Sequence, residues 1–97
     1  MRLTAYIPKV GEPQGRQAHD RLSKLLISLA GGFTIYPGCS GFWRDNNGNI
    51  VNDRVTVYEA FGEDIDKEEL TKELLILREV LNQDCIAYAI DNEIYFV

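Results

Sequence analysis

Cysteine and histidine are scarce in this chain, and their scarcity excludes several kinds of site. Of the 97 residues, two are cysteine and one is histidine. Cys39 and Cys85 lie far apart and in no CxxC or Cys/His pattern, so two separate thiols in a reducing compartment are favoured over a disulfide. His19 and scattered carboxylates supply no metal set, and neither a cofactor nor a catalytic residue is predicted. No Ser/His/Asp arrangement is supported, although Cys39 and Ser40 lie in a loop where a nucleophile could stand.

Positive charge and long apolar runs are also lacking. The chain has 10 basic and 15 acidic residues, for a net charge of −5. This balance disfavours direct binding to DNA or RNA backbones, which needs clustered positive charge, and it is compatible with a basic protein partner. No apolar run approaches the ~20 residues of a membrane span. The first eight residues are too short and too polar for a signal peptide. We therefore expect a cytoplasmic protein that does not contact membranes.

The spacing of apolar and turn residues predicts one domain over residues 1–97 that has a modest core. Gly31-Gly32 ends the first helix, and Asp66 caps the second with Glu69 three residues later. Pro37 to Gly41 breaks or bulges the second strand, and 45–49 is a hairpin turn. The predicted strands are 2–7, 33–36 continuing as 42–44, 50–61, 85–90 and 93–97, and the predicted helices are 14–29 and 66–81.

This order of elements predicts an α+β fold of the ferredoxin-like type. It is a βαββαβ sandwich in which an antiparallel sheet carries two helices on one face, with an extra C-terminal hairpin strand. The aliphatic face of the sheet is expected to lie under the helices. The other face is expected to stay open.

Period-two alternation in three strands predicts which side chains lie on that uncovered face. The aliphatic and phenylalanine side chains of these strands are predicted to be interior, namely Leu3, Ala5, Ile7, Phe33, Ile35, Val55 and Val57. The predicted outer face is then rich in tyrosine and arginine. It comprises Arg2, Thr4, Tyr6, Thr34, Tyr36, Arg54, Thr56 and Tyr58. Aromatic rings beside guanidinium groups suit nucleobases or nucleotides. The same residue types are enriched at protein interfaces, so pairing with a second copy of the chain is favoured.

Trp43 and Arg44, at the hairpin tip, extend this candidate surface. They suit stacking on a planar ligand and pairing with an anion. Alternatively, Trp43 packs against the sheet edge and Arg44 pairs with Asp45 or Asp53. His19 falls off the apolar stripe of its helix and is predicted to be a solvated side chain.

The segment from Gly31 to Phe61 combines Gly31-Gly32-Phe33-Thr34, Gly38, Gly41 and Trp43-Arg44-Asp45. It resembles small uncharacterised ferredoxin-like proteins of bacteria and their phages, which carry Gly-Gly-x-Thr, a Gly-containing break and Trp-Arg-Asp at a hairpin tip. The resemblance covers about a third of the chain and implies the same fold. It brings no settled activity, but it suggests a phage protein that acts against a host defence signal.

Three functions remain open at this stage. The leading one is a small non-enzymatic binding protein that acts as a homo-oligomer, most simply a dimer, and sequesters or senses a small anionic or nucleotide-like ligand. The second is an acidic inhibitor of a nucleic-acid-binding machine, similar to anti-CRISPR proteins, in which an acidic surface contacts a basic partner; its residues are Glu63, Asp64, Glu68 and Glu69. The third is a small dimeric enzyme, which would need a polar residue between helices and sheet.

Overall fold

Hydrogen bonding between neighbouring strands joins the chain into a single five-stranded sheet. The computed structural model describes all 97 residues. The elements are β1 (Arg2–Pro8), α1 (Gln14–Ala30), β2 (Thr34–Arg44), β3 (Ile50–Phe61), α2 (Lys67–Val80), β4 (Ala87–Ile90) and β5 (Glu93–Phe96). The strand order is β2-β3-β1-β4-β5, and every pair is antiparallel. The predicted ferredoxin-like α+β fold is confirmed, and β5 is the extra strand at the edge.

Local signals in the sequence set the helix ends. Gly31 follows α1 with a left-handed φ of 83°, and its amide donates to the Ile27 carbonyl. The Asp66 carboxylate accepts hydrogen bonds from the amides of Glu68 and Glu69 at the start of α2. Both ends were predicted, because glycine tolerates positive φ and aspartate satisfies amides that lack partners in the first turn.

The core lies between the helices and one face of the sheet. Each helix contributes buried residues at helical spacing, which are Ala18, Leu22 and Leu26 on α1 and Leu70, Leu74 and Leu77 on α2. They pack in one cluster with Leu3, Ala5 and Ile7 of β1. The predicted interior positions of β1 are therefore confirmed.

The register of β3 contradicts the predicted facing of that strand. Tyr58 lies directly opposite Ala5 of β1, so the two side chains share the helix-covered face. Tyr58 is only 4% exposed. Thr56 and Arg54 follow at period two on the same side as Tyr58. The assignment of these three residues to the outer face was therefore wrong.

The predicted positions of Val55 and Val57 were also wrong. They were predicted to be interior, yet they alternate with Tyr58 and lie on the uncovered side of β3. The reason is physical: both alternating sets in β3 suit a strand. The tyrosine ring can be buried when its hydroxyl finds a hydrogen-bond partner, and valine is tolerated on an exposed face.

We call the side of the sheet away from the helices the open face. The registers place on it Arg2, Thr4, Tyr6, Pro8, Thr34, Tyr36, Cys39, Trp43, Val51, Asp53, Val55, Val57, Glu59, Phe61, Ala87, Ala89, Ile94 and Phe96. Most of these side chains are aromatic or aliphatic. No helix covers them.

The distal half of the β2–β3 hairpin extends beyond the rest of the sheet. Residues 40–44 and 50–54 pair with one another, whereas β1 pairs with β3 only from Val55 onward. We call this two-stranded ribbon the arm. Its tip is the predicted turn, where the Asp45 carboxylate accepts from the amides of Asn47 and Asn49.

A bulge separates the arm from the proximal part of β2. Tyr36 pairs with Val57 and Cys39 pairs with Val55, so β2 uses one residue more than β3 over this interval. Gly38, inside the bulge, has a φ of 70°. The predicted break at Pro37 to Gly41 is confirmed as a bulge.

Candidate functional site

A row of apolar side chains crosses all five strands on the open face. Tyr36 lies beside Val57, Val57 beside Tyr6, Tyr6 beside Ala87, and Ala87 beside Phe96. We call these five residues the central row. It contains no charged group, so it can be desolvated without leaving an unpaired charge.

The open face leaves a large apolar area in water. Six of its large side chains are 39–70% exposed, namely Tyr6, Tyr36, Trp43, Phe61, Ile94 and Phe96. Taking about 200 Å² for each side chain, this is on the order of 600 Å². The largest apolar patch of a typical monomer spans roughly 300–600 Å², and a standard protein interface covers about 800 Å² per partner. The open face therefore has the size of an interface.

Two charged groups of the open face, Arg2 and Glu59, are paired with one another, and Asp53 on the arm is the third charged group. Glu59 accepts hydrogen bonds from Arg2 Nε at 3.1 Å and from the Tyr36 hydroxyl at 3.2 Å. The Arg2 guanidinium is therefore held by a neighbouring carboxylate and is less available to an anionic ligand. Because the Arg2–Glu59 pair is neutral overall and Asp53 adds a negative charge, the face is better suited to apolar contact than to anion binding.

The arm carries apolar side chains on both of its faces. Trp43 shares the open face, where its ring lies over Gly41; a Cβ on that glycine would stand 3.4 Å from Trp43 Cζ3. On the other face Phe42 is 67% exposed and Ile50 is 65% exposed. A two-stranded ribbon has little independent stability in water. Packing against another surface would stabilise it.

Arg44 and Arg54 lie on the face of the arm opposite Trp43, as the cross-strand pairs of β2 and β3 require. The prediction that Arg54 shares a surface with Arg2 is therefore wrong. The alternative in which Arg44 pairs with Asp45 or Asp53 also fails, because Arg44 takes part in none of the three salt bridges.

A cleft of about 340 Å³ lies on the opposite side of the sheet, where β1 ends and the bulge of β2 approaches α1. Its walls are largely apolar and include Ile35, Pro37 and Leu81. Pockets that bind small molecules commonly span about 300–1,000 Å³, so the cleft has room for one compact molecule.

The polar side chains that line the cleft are Lys9, Glu12, His19, Thr56 and Tyr58. Glu12 is engaged, since its carboxylate accepts from the Arg16 amide at 3.2 Å. Lys9 is exposed and takes part in no salt bridge. The cleft therefore offers more free hydrogen-bond donors than free carboxylate oxygens.

His19 and Tyr58 form a hydrogen-bonded pair at this cleft. The distance from His19 Nδ1 to the Tyr58 hydroxyl oxygen is 2.8 Å, and the other ring nitrogen lies 3.4 Å from Ser23 Oγ. The tyrosine ring packs against Phe33 with a centroid separation of 5.9 Å. His19 is half-buried, so the prediction that it is a solvated side chain was wrong.

Burial raises the pKa of the Tyr58 phenol above its ordinary value, and the nearby negative charge of Asp20 raises it further. The phenol is therefore protonated throughout the neutral range. A protonated phenol can donate its hydrogen to His19 Nδ1, which places the proton of a neutral imidazole on Nε2.

Residue spacing did not reveal this pair. The partners are 39 positions apart in the sequence, and the spacing of α1 alone places His19 beside the apolar stripe. One signal was available: Tyr58 and Ala60 alternate as a large amphipathic and a small apolar residue. A buried tyrosine needs a hydrogen-bond partner, and the only histidine of the chain was a candidate.

A larger open groove of about 790 Å³ lies between α1 and α2. The Arg21–Glu73 salt bridge joins the helices beside it, with Nε 2.6 Å from Oε1. The hydrogen bonds to Glu73 and the negative charge of that carboxylate raise the pKa of the Arg21 guanidinium. The groove is open and mixed in charge, so we consider the smaller cleft the better site for a ligand.

The predicted acidic surface lies at and before the start of α2, and its four carboxylate residues are exposed, namely Glu63, Asp64, Glu68 and Glu69. Asp66, in the same segment, is occupied as the helix cap. Carboxylates in the first turn favour a helix through its dipole. A basic protein partner for this surface stays a prediction.

The structure divides the predicted ligand or interface residues between two surfaces. Arg2, Thr4, Tyr6, Thr34, Tyr36 and Trp43 lie on the open face. Arg44, Arg54, Thr56 and Tyr58 lie on the opposite side. Of the second group, Thr56 and Tyr58 line the cleft.

Three further features of the chain concern metal ligands, paired cysteines and membrane-spanning helices. Nowhere do three or more His, Cys, Asp or Glu side chains come together as metal ligands would. Cys39 and Cys85 are free thiols. Neither helix combines the length and the apolar character of a transmembrane segment.

The fold is similar to that of two solved proteins. One is CutA1, a divalent cation tolerance protein from Thermus thermophilus, with a TM-score of 0.59 and 17% identity over 100% of this chain and 82% of that one. The other is a phage SAM lyase in complex with S-methyl-5'-thioadenosine, with a TM-score of 0.62 and 13% identity over 99% of this chain and 87% of that one. No protein-family model and no curated protein sequence matches the chain. At such identities the similarity shows the fold alone.

Proposed function

We propose that this protein is a small binding protein that acts as a homo-oligomer, with its copies packed through the open face. The observation that carries the proposal is the central row, an uncharged strip across five strands within on the order of 600 Å² of exposed apolar area. A second copy is the natural occupant, because its open face is equally apolar and its Arg2–Glu59 pairs leave little net charge to oppose contact.

Native mass spectrometry of protein purified from cells tests this directly. It reports the number of copies and any retained small molecule in one measurement. We expect a homo-oligomer, most simply a dimer, at micromolar concentration. A monomer under these conditions, confirmed by sedimentation, would refute association through the open face.

The ligand of this oligomer, on our proposal, is a small anionic or nucleotide-like molecule. The cleft supports this choice, because it combines apolar walls with the free donors Lys9 and Thr56. The phage SAM lyase of similar fold was solved with a nucleoside, which makes S-methyl-5'-thioadenosine a suitable member of a test panel. The resemblance to phage proteins makes sequestration of a defence signal the biological setting we propose.

Thermal unfolding with a nucleotide and nucleoside panel tests ligand binding. We expect at least one member to raise the unfolding temperature, since a ligand that binds only the folded state stabilises it. Divalent cations belong in the same panel because of the CutA1 similarity. If no nucleotide, nucleoside or small anion stabilises the protein, the ligand-binding proposal fails while the oligomer proposal stands.

An enzyme is the second candidate, and the His19–Tyr58 pair favours it. An enzyme of this fold needs a polar residue between helices and sheet, and Tyr58 meets this requirement. The Tyr58 phenol can pass its proton to a bound molecule if His19 returns a proton to the phenolate, so the two side chains would act together. Conversion of a stabilising ligand by the native protein, lost in Tyr58→Phe, would support catalysis; an unchanged ligand after prolonged incubation would leave a binding protein.

A further inference from the structure

We infer that the cleft beside α1 recognises the anionic group of its ligand through Lys9 and Thr56, with the His19–Tyr58 pair in contact with the same molecule. This inference rests on the proposed ligand-binding function and specifies where and how the ligand is held. It concerns the helix-covered side of the sheet and is independent of the open face.

The charged and polar groups around the cleft favour an anionic ligand. Lys9 is an exposed ammonium in no salt bridge. Of the carboxylates around the cleft, Glu12 accepts a hydrogen bond from the Arg16 amide, and Asp20 lies near Tyr58 but does not line the cleft. The free polar groups of the cleft are therefore mainly donors. Donors without protein partners suit a carboxylate or a phosphate.

The back of the cleft is held rigid by the contacts of Tyr58. Tyr58 is held by the 2.8 Å bond to His19 and by packing on Phe33, so its position is fixed before a ligand arrives. A binding site made of preorganised groups loses less entropy on binding. When the hydroxyl donates to His19 Nδ1, its oxygen keeps acceptor capacity for a donor of the ligand.

A glycine at the start of α1 limits the size of the cleft. Gly15 lies in the first turn of α1, and a Cβ there would stand 2.7 Å from the Val10 carbonyl oxygen. The glycine lets α1 approach the end of β1 closely, which narrows the cleft to about 340 Å³. This volume suits a compact monophosphate or carboxylate better than a dinucleotide.

The single histidine gives a direct probe of this site. Because His19 is the only imidazole, its ring resonances can be followed in NMR spectra without assignment ambiguity. Three probes separate the parts of the ligand: adenosine monophosphate carries base and anion, adenosine only the base, and inorganic phosphate only the anion. We expect the monophosphate to shift the His19 resonances at concentrations at least tenfold below the other two.

Two lysine variants sharpen the test. Lys9→Gln should weaken the monophosphate response about tenfold and leave the adenosine response unchanged, since it removes one charge-assisted contact. Lys24→Gln is the matched control, because Lys24 is an exposed lysine of α1 that lines the other groove. It should change neither response.

The outcomes distinguish this inference from the proposed function. If the monophosphate raises the unfolding temperature but the His19 resonances stay fixed, the ligand binds elsewhere and the inference fails alone. Equal responses to adenosine and to its monophosphate would also overturn it, as would equal losses in the two lysine variants. If no probe stabilises the protein or moves His19, the inference and the ligand-binding proposal fail together.

Discussion

Replacing Val57 by glutamate places a charge at the middle of the central row. Val57 lies between Tyr6 and Tyr36 and is half-buried within one protomer, so Val57→Glu should lower the free energy of unfolding by only about 1 kcal/mol. In an interface the same carboxylate would be buried without a partner. The cost is about 3–5 kcal/mol for an uncompensated buried charge. Since about 1.4 kcal/mol is tenfold in affinity, the dissociation constant should rise more than about 100-fold.

Sedimentation over a range of protein concentrations measures this change, with circular dichroism to confirm the fold. Ile27→Glu is the matched control, because Ile27 is an exposed aliphatic residue of α1 on the opposite side of the molecule. It should leave the oligomer intact. The reasoning is refuted if Val57→Glu keeps the native stoichiometry and fold, or if Ile27→Glu dissociates the protein equally well.

Three further predictions concern the folded protomer. Asp66→Ala removes the cap that accepts two amides and should cost about 1 kcal/mol in urea unfolding; a loss below about 0.3 kcal/mol would contradict the capping role. Leu22→Ala should cost about 2–5 kcal/mol because Leu22 is fully buried, whereas Ile27→Ala, at an exposed position, should cost less than about 1 kcal/mol. The raised pKa of Tyr58 means that its ionisation favours the unfolded chain, so its contribution to stability is complete below the ordinary value of 10.0 and declines as the pH rises toward the folded value. Tyr58→Phe should therefore flatten the alkaline loss of stability, and identical pH profiles for the two proteins would argue against a buried phenol.

Local chemistry made the elements of this fold predictable. Asp66, Gly31 and the Asp45 turn each act within a few residues, and the structure uses each of them as the sequence indicates. The ferredoxin-like arrangement, with both helices on one face of the sheet, followed from the order of strands and helices, because crossover connections have one hand. These features need no knowledge of distant contacts.

The facing of β3 depended on a distant contact and was therefore not predictable from alternation. Val57 and Tyr58 are both typical of strands, and only the pairing of Tyr58 with Ala5 decides which one lies under the helices. The same long-range register brings Tyr58 to His19 across 39 positions. The candidate surface was consequently predicted as one patch, whereas the protein has an open face and a separate cleft.

The one-residue bulge in β2 determines which side chains the arm presents on each side. A strand alternates its side chains, so an extra residue exchanges the two sets from that point on. With the bulge, Trp43 joins Tyr36 on the uncovered side of the sheet. An insertion of one residue in β3 opposite Gly38 that restored regular pairing would turn Arg44 to that side and Trp43 away. One residue therefore determines whether the arm presents an indole or a cation to a binding partner on the uncovered side.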